Sequence, residues 1–96
     1  MLFHIRMDVN LPSTMPQAQS NQLKADEKAM FQSLQASGAW RHIWRIAGHY
    51  ANISVFDVAD VEELHATLMA LPLFAYMKIE IMPLCRHPSS AHDDDR

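Results

Sequence analysis

The sequence contains few of the residues that mark several common classes of protein. Its single cysteine, Cys85, excludes an intramolecular disulfide and a cysteine-based zinc site, and it favours a reducing compartment. Two glycines and five prolines are too few for a disordered or linker-rich chain. No apolar run reaches the roughly 20 residues of a membrane span, and charge at Arg6 comes too early for a signal peptide. We therefore expect a folded cytoplasmic protein.

Positive charge and ligand-binding motifs are also scarce. Eight basic and eleven acidic residues give a formal net charge of −3, so we expect no basic surface that recruits nucleic acid or a membrane. His42 and His49 lie seven positions apart, with no His-x-x-x-His pair, which argues against a metal site. Neither a glycine-rich phosphate loop nor a G-x-S-x-G motif is present. The remaining expectation is a small neutral or anionic metabolite, bound without metal or cofactor.

The 96 residues fit a single domain, 1–96, in which residues from about 84 form a C-terminal tail with a solvated acidic end. Thr14 with Gln17, and Asp60 with Glu63, are typical of helix N-terminal capping boxes, and Gly38 is typical of a helix end. Apolar periodicity predicts strands at 2–9, 40–47, 51–58 and 76–82, and helices from about 14 to 37 and from 60 to 72. Pro83 is expected to close the last strand. This βαββαβ order predicts an α+β, ferredoxin-like fold: a four-stranded antiparallel sheet with two helices on one face.

The strands carry large apolar side chains on both faces of the predicted sheet. One face, the helix-covered face, should pack beneath the helices. The other, the open face, should be covered by the sheet of a second subunit, because so many large apolar groups avoid water. We therefore predict a homodimer with its sheets packed face to face. The helix-covered face is assigned Phe3, Ile5, Met7, Ile53, Val55, Ile79 and Ile81, and the open face is assigned Leu2, Trp44, Ile46, Phe56, Val58 and Met82.

Glu27 interrupts the apolar stripe of the first predicted helix. It lies four residues after Leu23 and four before Phe31, so its carboxylate points toward the core. In an apolar pocket its pKa would rise toward neutrality, as a general base working near pH 7 requires. The alternative is a surface carboxylate paired with Lys24 or Lys28. Lys24 is in turn either a solvated lysine or a cation that holds a substrate carboxylate.

Residues 40–50, WRHIWRIAGHY, concentrate both tryptophans with two arginines, two histidines and a tyrosine. Arginine provides a rigid fork for a carboxylate, and the aromatic residues provide flat walls and hydrogen-bond donors. The group therefore suits a planar, anionic small molecule. A subunit interface is an equally good interpretation, because Trp, Tyr and Arg are enriched there as well.

Several segments closely resemble the muconolactone Δ-isomerase family, and the likeness covers essentially the whole chain. The segments are MLFH at 1–4, LKADEK at 23–28, WRHIWRIAGHYAN at 40–52, SVFDV at 54–58, LPLF at 71–74 and CRHPSS at 85–90. The resemblance implies a ferredoxin-like subunit and dimers assembled into a decameric ring. It also implies conversion of muconolactone to 3-oxoadipate enol-lactone in the catechol branch of the β-ketoadipate pathway. The family typically has tyrosine, proline and aspartate where this chain has Ile53, Ala75 and Lys78.

The implied reaction matches the residues that the pattern singles out. Moving the lactone double bond means removing a ring proton at C4 and returning one at C2, and Glu27 is the predicted base. Tyr50 and Asn52 are predicted to stabilise the charge that develops on the lactone oxygen. The substrate carboxylate is predicted to be held by a cation, which is Lys24, Arg6 or Arg45. Arg86 and His87 follow the last strand and are candidates for reaching a neighbouring subunit's site.

Three other functions fit the same sequence. A chloromuconolactone dehalogenase would abstract the same proton and then lose chloride. A cofactor-independent monooxygenase on the same sheet scaffold would consume oxygen. A non-catalytic, small-ligand-binding or purely oligomeric scaffold is the third, since a fold by itself does not establish an activity.

Overall fold

A computed structural model describes residues 1–92 of the chain. The acidic run at 93–95, predicted to be solvated, lies outside the described residues. The elements in chain order are β1 (Leu2–Val9), α1 (Gln17–Ser37), β2 (Trp40–Arg45), β3 (Ala51–Asp57), α2 (Val61–Met69), a 3-10 turn (Phe74–Tyr76) and β4 (Met77–Leu84). Neither helix combines the length and hydrophobicity needed to cross a membrane, over the part of the chain that is described.

The four strands form one antiparallel sheet in the order β2-β3-β1-β4. Phe3, Ile5 and Met7 alternate along β1 and are completely buried beneath the helices, beside Leu64 and Leu68 of α2. Residues of α1, among them Phe31 and Leu34, pack against the same cluster. Each fully buried apolar side chain of this size contributes about 1.5–3 kcal/mol. The predicted α+β arrangement is confirmed, and the strand order is that of a ferredoxin-like sheet.

The faces of β3 are the reverse of those predicted. Ser54 is paired with Ile5, and Phe56 with Phe3, and residues directly opposite in an antiparallel pair share a face. Ser54 and Phe56 are therefore completely buried on the helix-covered face, whereas Ile53 and Val55 lie on the open face. The prediction failed because apolar residues occur in both phases of this strand, and a slip of one residue exchanges the faces. Val58, which follows β3, is also buried in the core rather than on the open face.

The open face carries Leu2, Trp44 and Met82, as predicted. Trp44 is 56% exposed and Met82 59% exposed in the single chain. Trp44 also stacks on His42, with ring centroids 5.2 Å apart. The second subunit that would cover this face stays a prediction.

The helix boundaries confirm some of the predicted signals and contradict others. Gly38 ends α1 with a left-handed φ of 86°, and Asp60 accepts a hydrogen bond from the Glu63 amide at 2.8 Å at the start of α2, both as predicted. The Thr14 capping box is wrong: α1 begins at Gln17 after Pro16, without a side-chain cap. The expectation that Pro83 closes the last strand is also wrong. β4 continues to Leu84 because it is an edge strand, where proline's missing N–H is tolerated.

Candidate active site

A cavity of about 300 Å³ opens between α1, the β2–β3 hairpin and the segment that leads into β4. This volume is at the lower end of the range for small-molecule sites, roughly 300–1,000 Å³. Its walls are mostly apolar, and polar side chains converge on it from three elements. The apolar walls are Phe31, Trp40, Ile43, Leu73 and Met77, and the polar residues are Lys24, Glu27, Arg45, Tyr50 and Asn52.

Glu27 is buried in this cavity and is 6% exposed. Its position between Leu23 and Phe31 in the α1 stripe turns the carboxylate inward, as the sequence indicates. Oε2 accepts a hydrogen bond from the backbone N–H of Leu73 at 3.1 Å. Within residues 1–92 the carboxylate forms no ion pair. The alternative of a surface carboxylate paired with Lys24 or Lys28 is therefore wrong.

Burial raises the pKa of Glu27 above its ordinary value, because the charged form loses its hydration. The Leu73 amide acts in the opposite direction, since it donates to the charged form and lowers the pKa. Burial is the larger of the two effects. Glu27 therefore accepts a proton more readily than a carboxylate in water does.

Two cations, Lys24 and Arg45, lie close to the ring of Tyr50 at the mouth of the cavity. The Lys24 Nζ lies 5.8 Å from the ring centroid and the Arg45 Cζ lies 5.4 Å from it. Both distances are within the range of cation–π attraction, which draws each side chain toward the Tyr50 ring. Lys24 comes from α1, one turn before Glu27, and Arg45 from the end of β2. This rim is suited to a carboxylate.

Asn52 lies on the floor of the cavity, directly across the β2–β3 ladder from Arg45. Its Oδ1 accepts a hydrogen bond from the Ser54 hydroxyl at 2.7 Å, which fixes the amide plane. Its Nδ2 donates to the Met7 sulfur at 3.7 Å. A thioether is a weak acceptor, so a ligand oxygen would replace it at little cost.

Arg6 is not brought together with these residues. It lies on the open face of β1, where its Nε and Nη2 donate to the two carboxylate oxygens of Asp8 at 2.9 and 3.2 Å. It does not line the cavity. Of the three cations predicted to hold a substrate carboxylate, the structure places two, Lys24 and Arg45, beside Glu27.

One contribution to the cavity that the sequence does not signal comes from a backbone group. Leu73 contributes an amide N–H, for which a sequence carries no signal because every residue except proline has one. Trp40 is 1% exposed, and its indole N–H has no hydrogen-bond partner among the described residues. Arg86 and His87 border a different depression, which they share with Leu2 of the open face. Within residues 1–92 no three His, Cys, Asp or Glu side chains are grouped so as to hold a metal ion.

A family model described as muconolactone delta-isomerase matches residues 1–90. The chain belongs to the muconolactone delta-isomerase family. The muconolactone Delta-isomerase of Pseudomonas putida is 65% identical to it over 96 residues, which is 100% of both chains. That of Rhodococcus opacus is 54% identical over 88 residues, which is 92% of this chain and 95% of the relative. Family membership confirms the resemblance seen in the sequence, and with it isomerase as the class of enzyme.

A solved structure supports the same family. A crystal structure of muconolactone isomerase matches the chain with a TM-score of 0.94 and 67% sequence identity, covering 100% of both chains. Ile53, Ala75 and Lys78, three positions at which the resemblance leads us to expect other residues in the family, do not line the cavity. Ile53 and Lys78 lie on the open face.

Proposed function

We propose that this chain converts muconolactone to 3-oxoadipate enol-lactone, in the cytoplasm, as a step of catechol degradation through the β-ketoadipate pathway. The observation that carries the proposal is Glu27, a buried carboxylate that forms no ion pair within residues 1–92 and faces a cavity rimmed by two cations. Muconolactone is an unsaturated five-membered lactone with a carboxymethyl arm. It thus has an acidic ring proton for a base and a carboxylate for a cation.

Glu27 is the proposed base. Its raised pKa improves proton transfer from carbon, provided the working pH leaves it ionised. It removes the C4 proton, and the electrons of that C–H bond pass through the ring to the lactone carbonyl and form a dienolate. The protonated Glu27 then returns the proton at C2 as the carbonyl re-forms, which moves the double bond and regenerates the carboxylate. No redox step or leaving group is involved.

Asn52 and Tyr50 are the proposed donors to the dienolate oxygen. The Asn52 Nδ2 faces a weak acceptor in the absence of a ligand, and the Ser54 hydroxyl holds its amide in place. Tyr50 lines the same cavity and is 42% exposed at its mouth. Donors fixed in advance where charge develops stabilise a transition state more than mobile water does.

Lys24 and Arg45 are the proposed holders of the carboxymethyl arm. Both side chains line the cavity, and the charged group of each lies within 5.8 Å of the Tyr50 ring centroid. A planar guanidinium binds a carboxylate with two hydrogen bonds, and an ammonium adds a compact charge. The arm would thus be fixed at the mouth while the ring extends toward Glu27.

We further propose that the open face packs against the sheet of a second copy, and that such dimers build a decamer. Trp44 and Met82 are more than half exposed there, and Leu2 and Val55 lie beside them on the same face. Burying such groups stabilises an interface. Size-exclusion chromatography with light scattering tests this assembly. A monomeric mass would contradict it.

The direct test of the reaction is to add the purified protein to muconolactone and follow the ring protons by NMR in buffer with a chelator. We expect rapid formation of the enol-lactone. A folded protein that leaves muconolactone unchanged would overturn the proposal. Chloride release from a chlorinated lactone, measured in parallel, would then identify a dehalogenase.

A further inference from the structure

Leu73 donates its backbone N–H to Glu27 from a segment 46 residues away in the chain. The Leu73 N–H donates to Oε2, and within residues 1–92 no other group donates a hydrogen bond to the Glu27 carboxylate. Oε1 accepts no hydrogen bond within residues 1–92. It is nevertheless not fully enclosed by the protein, unlike the Trp40 Nε1, which is both enclosed and without a partner there. Since Glu27 lines the cavity and Oε2 is engaged by Leu73, Oε1 is the oxygen that no donor among residues 1–92 occupies.

We propose that the Leu73 amide is a positioning group, which holds one oxygen of the Glu27 carboxylate and presents the other to the substrate. This inference rests on the proposed role of Glu27 as the base. A carboxylate on a glutamate side chain rotates about three torsions, and a base must meet a carbon acid at a defined distance and angle. A donor fixed in the protein removes much of that freedom before the substrate arrives.

The segment that carries Leu73 is well suited to fix a donor. The Leu73 side chain is 3% exposed, and Pro72 before it restricts the backbone. The Phe74 N–H donates to the Leu71 carbonyl at 3.0 Å, and the Tyr76 N–H donates to the Leu73 carbonyl at 2.9 Å. The Leu73 amide therefore points at Glu27 as part of a hydrogen-bonded turn.

The amide also extends the pH range in which Glu27 is ionised toward lower pH, although burial has the larger effect on its pKa. A donor to the ionised carboxylate favours that form, so the Leu73 N–H opposes the rise in pKa that burial causes. The charged or titratable side chains that face the same cavity are Lys24 from α1, Arg45 from β2 and Tyr50 from the hairpin. None of these forms a hydrogen bond or ion pair with Glu27 in the described structure. The Leu73 amide is the donor that contacts it.

Replacing Leu73 by its α-hydroxy acid, leucic acid, tests the inference, because it exchanges the amide N–H for an ester oxygen and keeps the side chain. The matched control replaces Phe74 by phenyllactic acid, which deletes a neighbouring N–H that donates to the Leu71 carbonyl instead of to Glu27. Two readouts are needed. One is the carboxyl ¹³C titration of Glu27, assigned by its absence in Glu27→Gln, and the other is the pH profile of kcat/KM.

We expect the ester at 73 to raise the pKa of Glu27 and to move the acidic limb of kcat/KM to higher pH. On that limb, kcat/KM should fall roughly tenfold, the effect of one lost hydrogen bond to a charged group. The ester at 74 weakens the same turn but keeps the Leu73 N–H, so it should shift both readouts clearly less than the ester at 73. An unchanged Glu27 titration in the ester at 73 overturns the inference, while loss of activity in Glu27→Gln would leave the proposed base in place. A shifted titration with an unshifted kinetic limb would instead remove Glu27 as the base, and the positioning role with it.

Discussion

Asp8 on the open face of the sheet and Glu27 on helix α1, which packs on the other face, are carboxylates of similar chemistry in different surroundings. Asp8 accepts two hydrogen bonds from Arg6, and that contact holds its pKa below the usual range. Glu27 has no cation bound to it within residues 1–92, and burial raises its pKa. Arg6 and Asp8 are hydrogen-bonded to each other at the solvent-accessible surface, where such pairs contribute little to stability. The unpaired, buried carboxylate is the one that is available for chemistry.

Replacing Glu27 with Gln is the strongest test of this contrast. The amide keeps the size of the side chain and an acceptor for the Leu73 N–H, but it cannot take a proton. We expect kcat to fall by roughly 100- to 10,000-fold, the usual contribution of a general base. Asp26→Asn, at the adjacent exposed position of α1, is the matched control and should retain normal turnover. Near-normal kcat in Glu27→Gln would remove the residue from the role.

The two faces also differ in how much they contribute to stability. Phe56 is completely buried on the helix-covered face, so Phe56→Ala should lower the free energy of unfolding by about 3–5 kcal/mol. Val55→Ala, one residue earlier on the open face, should cost clearly less. Urea unfolding followed by circular dichroism, at several protein concentrations, measures both. The reverse order of effects would contradict the register of β3.

Replacing either cation of the cavity, Lys24 or Arg45, should weaken substrate binding, whereas replacing Arg6 on the open face of the sheet should not. Lys24→Met and Arg45→Met are each expected to raise KM roughly tenfold or more, since each removes a charged partner of the substrate arm. Arg6→Met should leave KM unchanged, because Arg6 is bound to Asp8 outside the cavity. Steady-state kinetics on muconolactone distinguishes the three variants. An Arg6→Met enzyme with a raised KM would restore that residue to the site.

The smallest expected effect is on stability as a function of pH. A carboxyl with a raised folded pKa favours the folded state below its ordinary pKa of 4.5, and this contribution is lost as the pH rises through the folded pKa. Glu27→Gln should therefore raise the melting temperature at neutral pH, and the gain should shrink toward zero as the pH falls below 4.5. Thermal unfolding at a series of pH values tests this. A gain that is independent of pH would show that ionisation of Glu27 is not its cause.

The order of elements and the inward position of Glu27 were predictable from local patterns. Alternation along β1 and the i, i+4 spacing around Glu27 depend on geometry within one strand or one helix, which a sequence displays directly. The end of α1 at Gly38 and the start of α2 at Asp60 depend on single residues whose backbone preferences are strong. The resemblance across residues 40–52 added the family and the reaction class.

The sequence by itself determined the fold class and the family and made Glu27 a candidate for the base, because each of these depends on spacing or identity along the chain. The tertiary structure decided the face of β3, the exclusion of Arg6 and the contact between Leu73 and Glu27. Each of these depends on which strand or loop lies beside which, across separations of up to 46 residues. A local sequence pattern does not indicate which distant segment will lie beside it. In the case of Leu73 the group involved is a backbone amide, which any residue except proline would supply.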